Sequence, residues 1–372
     1  MSEQNPKIEA AEQQVAAVQT RNLNTELQAL AKFGGFNVLE SSVDGIQNLN
    51  PERKARRNIY LTSNEKAAER KELAKSIEMW VEMLKSGKTI TEMIDACQKK
   101  SAAVSDLLSQ NQLKAVEEVK QLEKSYRTVM LFYKNTDSDK IKNVSIVNAS
   151  MAQLTDLDNS FFIDAIANEL RANYDRLDLR TNYSLLVIPG FLGSNKVVEK
   201  WAKIAHDNKV MIYTDFADLE KPDDVIEMFF DSNISGGDIY KSNVCMTCNY
   251  LVGRGRYAEL GETEDLLVPP SAALAGSVYK TVMAQVTAGK KYGSMSEVDG
   301  VAFNLKKSEI SEIEKIGLIP MVKEYGKVMA FSAKTLFNGD NLGLQTYSVV
   351  RVFDWVTKVL MDFLNRRAFE NW

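Results

Sequence analysis

Histidine is almost missing from this chain of 372 residues: His206 is the only one. Its scarcity removes any metal site built on two imidazoles and leaves a single candidate base for a Ser-His or Cys-His nucleophile pair. Cysteine is nearly as rare, with Cys97, Cys245 and Cys248. Cys245 and Cys248 form a C-x-x-C, but zinc needs two further Cys or His ligands, and the chain holds only one more of each. A redox pair belongs at a helix start after a strand, whereas NVCMTCNYLVG (243–253) reads as a strand running into a glycine turn. A dominant charge of one sign is also lacking. The net charge of −4 argues against binding driven by phosphate neutralisation. No apolar run reaches the ~20 residues of a membrane span, and the start MSEQNPKIEAAEQQ has neither the basic lead nor the apolar core of a signal peptide. The expectations are no nucleic acid, no membrane insertion and a cytoplasmic location.

What is present suits a large globular protein. Hydrophobic residues make up 45% and charged ones 26%, enough for a sizeable core and too apolar for bulk disorder. The length predicts two or three domains. A polar, Gln- and Ala-rich opening reads as an arm, and PERKARRN (51–58) is a basic cluster suited to an acidic partner or a solvated turn. A helix is expected from Ser63 to Gly87, with Leu73, Ile77, Trp80 and Leu84 on one face. The next is more clearly amphipathic: Val104, Leu107, Leu108, Val116, Val119, Leu122, Tyr126, Val129, Met130 and Tyr133 recur every three or four positions, a stripe expected to face a core.

Beyond it, NVSIVNA (143–149) reads as a strand. YSLLVIPG (183–190), helix 196–208 and VMIYTDF (210–216) form a β-α-β unit. A helix with Pro222 in its first turn follows, then the cysteine-bearing strand, a helix from Ser271 to about Thr287, and a short one from SEIE (311–314) to Gly317. GKVMAFSA (326–333) is the last strand before a long helix from about Gln345 to Phe369. The fold class is α+β, with mixed α/β sheet layers and long amphipathic helices.

Catalytic motifs are incomplete. The loop with Gly190, Gly193 and Ser194 lies between a strand and a helix N-terminus, where free N–H groups can cradle phosphate. It reads P-G-F-L-G-S-N, matching neither G-x-x-x-x-G-K-S/T nor G-x-G-x-x-G. Gly253 and Gly255 give only a bare G-x-G. Asp223 and Asp224 diverge on a helix, and Asp299 and Asp340 suit turns. The chain is expected not to be an enzyme and to carry no catalytic residue, metal or cofactor. A nucleotide-binding or redox α/β enzyme using Gly190 and Gly193, or Cys245 and Cys248, is the alternative.

The ordered string VPPSAALAG (268–276), SAKTLFNGDNLG (332–343) and RRAFEN (366–371) resembles the core of contractile sheath subunits. The closer resemblance is to the large sheath subunit of the type VI secretion system, the TssC/VipB family, with the phage tail sheath as a relative. The family's P-P-S-G-x-x-A-G stands here as Pro269, Pro270, Ser271, Ala272, then Ala275 and Gly276, with Ala272 in place of glycine. LEKSYRTVMLFY (122–133) leading into the strand at 143–149 also resembles it. IPGFLGSN (188–195) departs from it and marks a divergent branch.

This resemblance implies a tail-sheath-like core with an N-terminal helical arm: an arm over 1–60, a helical region over 61–135, a central α/β sheath domain over 136–260, and a C-terminal core over 261–372. It implies a structural subunit that pairs with a small sheath subunit, TssB (VipA), and assembles with copies of itself around a tube of Hcp. Baseplate components and a Clp-type disassembly ATPase are the further partners implied. The family continues past the last helix into a linking segment, whereas this sequence stops at Trp372. Either the form is shortened or the linking strand lies elsewhere, the arm being one source. On the last helix, Val349, Val350, Phe353, Val356, Leu360, Phe363 and Leu364 are expected to face the core. The opposite face, with Arg351, Asp354, Lys358, Asp362 and Arg366, is either a solvated surface laced with ion pairs or, as the resemblance implies, the candidate inner-tube interface.

Overall fold

The computed structural model describes residues 59–85, 87, 89–141, 143–179, 182–368 and 370. Most of the N-terminal arm, with the basic cluster at 51–58, lies outside the described residues. Two compact units divide the chain, Met1–Gln110 and Asn111–Trp372. In the first, helix α1 (Ala67–Lys85) is followed by α2 (Ile90–Asn135), which runs on into the second unit. Arg70 of α1 ties down the chain before it, donating to the carbonyls of Tyr60 and Ser63 at 2.6 and 2.7 Å.

The second unit is built on a six-stranded sheet. After α3 (Met151–Thr155) and α4 (Phe161–Tyr174) come β1 (Leu185–Ile188), α5 (Asn195–Asp207), β2 (Met211–Asp215), α6 (Pro222–Ser232) and β3 (Val244–Cys248). β4 (Leu251–Arg254), β5 (Leu266–Val268), α7 (Ser271–Lys280), α8 (Gly289–Tyr292), β6 (Ser294–Met295) and β7 (Gly300–Val301) follow. The last elements are α9 (Lys307–Lys315), β8 (Leu318–Glu324), β9 (Lys327–Ala330) and α10 (Tyr347–Arg367). The sheet order is β1-β2-β3-β8-β9-β6, with β1, β2, β3 and β8 parallel and β9 antiparallel to both of its neighbours, β8 and β6. A small antiparallel sheet has the order β5-β4-β7. The mixed α/β layering read from the sequence is what the fold shows.

Alternation along the strands separates two cores. Ile212, Val244, Met246, Cys248, Leu318 and Val322 face one side with α4, α5, α6 and α9. Met211, Tyr213, Cys245, Ile319 and Met321 face the other, against Leu131 of α2, the alanines of α7, and Tyr347 and Val350 of α10. Successive strand residues point to opposite faces, so a parallel strand covered on both sides must be apolar throughout. The same alternation parts Cys245 from Cys248, one in each core. Burial also raises both thiols far above their ordinary range, so they stay protonated and are not set up for thiolate chemistry.

The string of small residues has a packing reason. Ser271 to Val278 is buried throughout α7, and a Cβ added at Gly276 would stand 2.4 Å from the Phe132 carbonyl oxygen of α2. The two helices meet backbone to backbone, so Gly276→Ala is expected to cost about 1–3 kcal/mol, as overpacking does. Urea unfolding with an unchanged m-value and a lowered midpoint would show it, while an unchanged midpoint would mean that the contact relaxes freely.

Several boundaries differ from the sequence reading. α7 ends at Lys280, well short of Thr287, and α9 begins at Lys307 because Glu309 accepts the Lys306 N–H at 2.6 Å and starts the helix one turn early. The single strand expected over 243–253 is two strands, broken at Asn249, whose left-handed φ of 68° turns the chain. The stripe expected to bury α2 against a core is largely exposed, from Val104 through Leu122 and Tyr126 to Tyr133; Leu131 is fully buried. Finally, 143–149 forms no strand, and Val144, Ile146 and Val147 are exposed.

Candidate functional site

The Gly190 loop is held by a carboxylate inside the protein. Gly190 N–H donates to Asp215 Oδ2 at 2.8 Å, and its φ of +106° is one that favours glycine. Asp215, at the end of β2, also accepts from Ser271 N at 2.7 Å, Ser271 Oγ at 2.6 Å and the Thr247 hydroxyl. The first helical residue after Pro269 and Pro270 is thereby pinned to the ends of two central strands and to the β1 loop. Burial pushes the Asp215 carboxyl up to about 6, against the pull of its four donors. The Gly190 N–H, one of the groups a phosphate would need, is therefore already taken. Nothing in the sequence singled out Asp215, because its partners lie 25 to 56 residues away.

A second tie joins α2 to the small sheet. Arg254 of β4 pairs with Glu123 at 3.0 Å and Glu262 at 2.7 Å, while Arg127 pairs with Glu123 at 2.8 Å and donates to the Gly253 carbonyl at 2.9 Å. Burial pushes Glu123 up, but hydrogen bonds from Arg254 and Arg127 outweigh it and hold the carboxyl below its usual range.

The open edge of the main sheet is the most distinctive surface of the second unit. Among the described residues β1 pairs with β2 alone, and residues of the helices on both sides of the sheet flank its free edge. Between them lies a cleft of about 590 Å³ floored by Leu185 to Ile188. Ile166, Leu170 and Trp201 line it from one layer and Phe132 and Tyr279 from the other. Residues of the 143–149 segment border it, Ser145 sharing a hydrogen bond with the Tyr183 hydroxyl. A strand of five residues needs about 16 Å along its axis, about 4.8 Å from its neighbour and about 10 Å between layers, a space of the same order. A sheet edge that is unpaired among the described residues, with apolar walls on both faces and room for one strand, is a geometry suited to strand addition.

On α10 the two faces are exchanged relative to the sequence reading. Val350 is buried, but Phe353, Val356, Leu360, Phe363 and Leu364 are exposed, Phe353 by 65%. Arg351 and Lys358 are buried instead. Lys358 Nζ donates to the Tyr183 carbonyl at 2.7 Å and lies 5.9 Å over the Tyr174 ring, and burial pushes its pKa down to about 8. Asp354 accepts from Asn243 Nδ2 at 2.8 Å, and Asn243 Oδ1 meets His206 Nδ1 at 2.9 Å; burial raises the Asp354 carboxyl. Asp362 pairs with Arg366 at 2.9 Å, and Arg366 is mostly exposed. The five residues therefore do not form one outward face. Periodicity located both stripes of α10 but could not say which meets the core, because polar anchors on Tyr183 and Asn243, far away in sequence, take the inner side.

Among the described residues no group of His, Cys, Asp and Glu could hold a metal, and no helix is long and apolar enough to cross a membrane.

No curated protein sequence matches this chain. Among solved structures, the anti-feeding prophage baseplate has a chain of 16% identity and TM-score 0.40, covering 63% of this chain and 62% of its own. The anti-feeding prophage helical sheath in its contracted state has 16% identity and TM-score 0.43, over 66% of this chain and 59% of its own. A sheath tail protein from Desulfitobacterium hafniense has 14% identity and TM-score 0.27, over 47% and 43%. This chain thus spans about three-fifths of the length of the first two. The family profiles reach across nearly all of it: TssC/VipB-like, N-terminal region, over residues 23–112; Type VI secretion system TssC/VipB, central domain, over 114–338; and TssC/VipB-like, C-terminal domain, over 346–372. With the central profile alone covering more than half the sequence, the chain belongs to the TssC/VipB family of the type VI secretion system.

Proposed function

We propose that this chain is a structural subunit of a contractile injection sheath, not an enzyme, and that it works by assembly. Family membership supports this, and the strand-sized cleft beside β1 carries it physically. The partners in this reading are a small sheath subunit, TssB (VipA), further copies of the chain in a helical array, an inner tube of Hcp, baseplate components and a Clp-type disassembly ATPase, all in the cytoplasm. The organisation that goes with it is an arm over 1–60, a helical region over 61–135, a central domain over 136–260 and a C-terminal core over 261–372. Energy for contraction comes from the repacking of many subunit contacts. Exposed Phe353, Leu360, Met361, Phe363 and Leu364 on α10 add an apolar surface of the kind that marks an interaction site. Of the five charged residues on α10, Arg366 is the exposed one and remains available for the inner tube, while its partner Asp362 is largely buried. Arg351, Asp354 and Lys358 serve that role only if α10 leaves its anchors.

Co-expression with the small sheath subunit, followed by negative-stain microscopy, tests the reading. Hollow helical tubes requiring both chains are expected. Two soluble proteins that neither co-purify nor polymerise would overturn it.

A further inference from the structure

Two side chains close one end of the free edge of β1. Met211 N–H donates to the Ser184 carbonyl at 3.0 Å, and the parallel register sets Leu185 beside Met211. Along a strand, alternate residues turn both backbone groups to one neighbour and then to the other. Ser184, Leu186 and Ile188 therefore face β2, while Tyr183, Leu185 and Val187 face the free side. At Tyr183 both groups are occupied: its N–H donates to Asn173 Oδ1 of α4 at 2.6 Å, and its carbonyl accepts from Lys358 Nζ of α10 at 2.7 Å. Asn173 and Lys358 are themselves only 3% and 7% exposed.

Displacing these caps is costly. A strand that paired with Tyr183 would leave the buried Lys358 ammonium without the carbonyl it donates to, and Asn173 without the N–H it accepts. Leu185 and Val187, in contrast, have no backbone partner on the free side among the described residues. Pro189 follows in the same phase and has no N–H to give. The open stretch thus lies between a capped residue and a proline. Ile166, Leu170 and Trp201 wall it on one side, and Phe132 and Tyr279 on the other.

The geometry points to Asn173 and Lys358 as a register stop for strand addition: an added strand pairs with Leu185 and Val187 and does not advance onto Tyr183. The occupant this fits is a short extended segment with apolar side chains on both faces, since successive residues of a strand meet opposite walls. That the segment belongs to the small sheath subunit is the reading proposed above, and the stop rests on it. A slip of one residue exchanges the two faces of a strand. Where both walls are apolar that exchange meets little penalty, so the register has to be set at the end of the strand.

Residue-resolved amide hydrogen exchange, on the purified full chain alone and with the small sheath subunit, tests the stop. In the free chain the Tyr183 amide is expected to exchange at least about tenfold more slowly than those of Leu185 and Val187, because it is bonded to Asn173. Adding the partner should slow Leu185 and Val187. Asn173→Ala should speed Tyr183 exchange in the free chain and let the partner protect it, as the ladder grows by one residue. Lys358→Met frees the Tyr183 carbonyl and serves if the asparagine variant does not fold. Partner binding about two- to tenfold tighter is expected from it, the worth of one net backbone hydrogen bond. A Tyr183 amide as fast as Leu185 in the free wild-type chain would overturn the stop, as would a Tyr183 left unprotected in the Asn173→Ala complex or an affinity not raised by Lys358→Met. A partner that does not bind, or binds and leaves Leu185 and Val187 unprotected, removes the strand reading and the stop with it.

Discussion

Filling the β1 cleft with a bulky side chain is expected to abolish pairing with the small sheath subunit while leaving the isolated chain folded. Ala165 on α4 lines the cleft and is exposed, so Ala165→Trp projects an indole into the space a strand would occupy. A surface substitution on a helix changes stability by about 0.5 kcal/mol at most. An added strand, by contrast, must be excluded entirely, because a strand shifted outward by an indole loses its ladder to β1. A loss of at least 100-fold in affinity is expected, equivalent to about 2.7 kcal/mol. The measurement is co-purification and titration of the partner against wild-type and variant chains of matched circular dichroism. Partner binding within threefold of wild type would mean that the cleft is not the docking site, even if sheaths form.

Removal of the Asp215 carboxylate should have the largest effect on the subunit itself. Asp215→Ala leaves the buried N–H of Ser271 without its acceptor, at about 1–3 kcal/mol, and also removes the acceptor of the half-buried Gly190 N–H. The same group gives the fold a pH dependence. Its folded-state pKa of about 6 exceeds the ~3.9 of an unfolded aspartate, so the native state binds the extra proton. Its contribution is complete below about pH 4 and is lost as pH rises to about 6, by roughly 3 kcal/mol. Urea midpoints measured from pH 4 to pH 7 should therefore fall for wild type, and Asp215→Asn should remove that slope. An identical slope in the variant would assign the dependence to another group.

The legible parts of this protein were those governed by local chemistry. Short apolar runs and a period-3.6 pattern between them marked the β-α-β unit of β1, α5 and β2. Asn-type turn chemistry did not suffice to show that β3 and β4 are separate strands, because a left-handed Asn249 is selected by its side-chain bonds to Phe303 and Met321. The string from Pro269 to Gly276 was recognisable as a close-packing motif, but the reason for its serine lay 56 residues away on Asp215.

The sequence by itself determined the absence of a complete catalytic motif, the order of helices and strands through the central region, and a set of motifs that resemble one family. The tertiary structure alone decided which face of each element is inside. A helix with an apolar and a charged stripe is compatible with either orientation. On α10 the choice fell to Tyr183 and Asn243, whose carbonyl and amide hold Lys358 and Asp354 inward and leave Phe353 and Leu360 exposed. Likewise, 143–149 has the composition of a strand, but a strand exists only when a neighbour supplies its hydrogen bonds, and 143–149 pairs with no strand among the described residues.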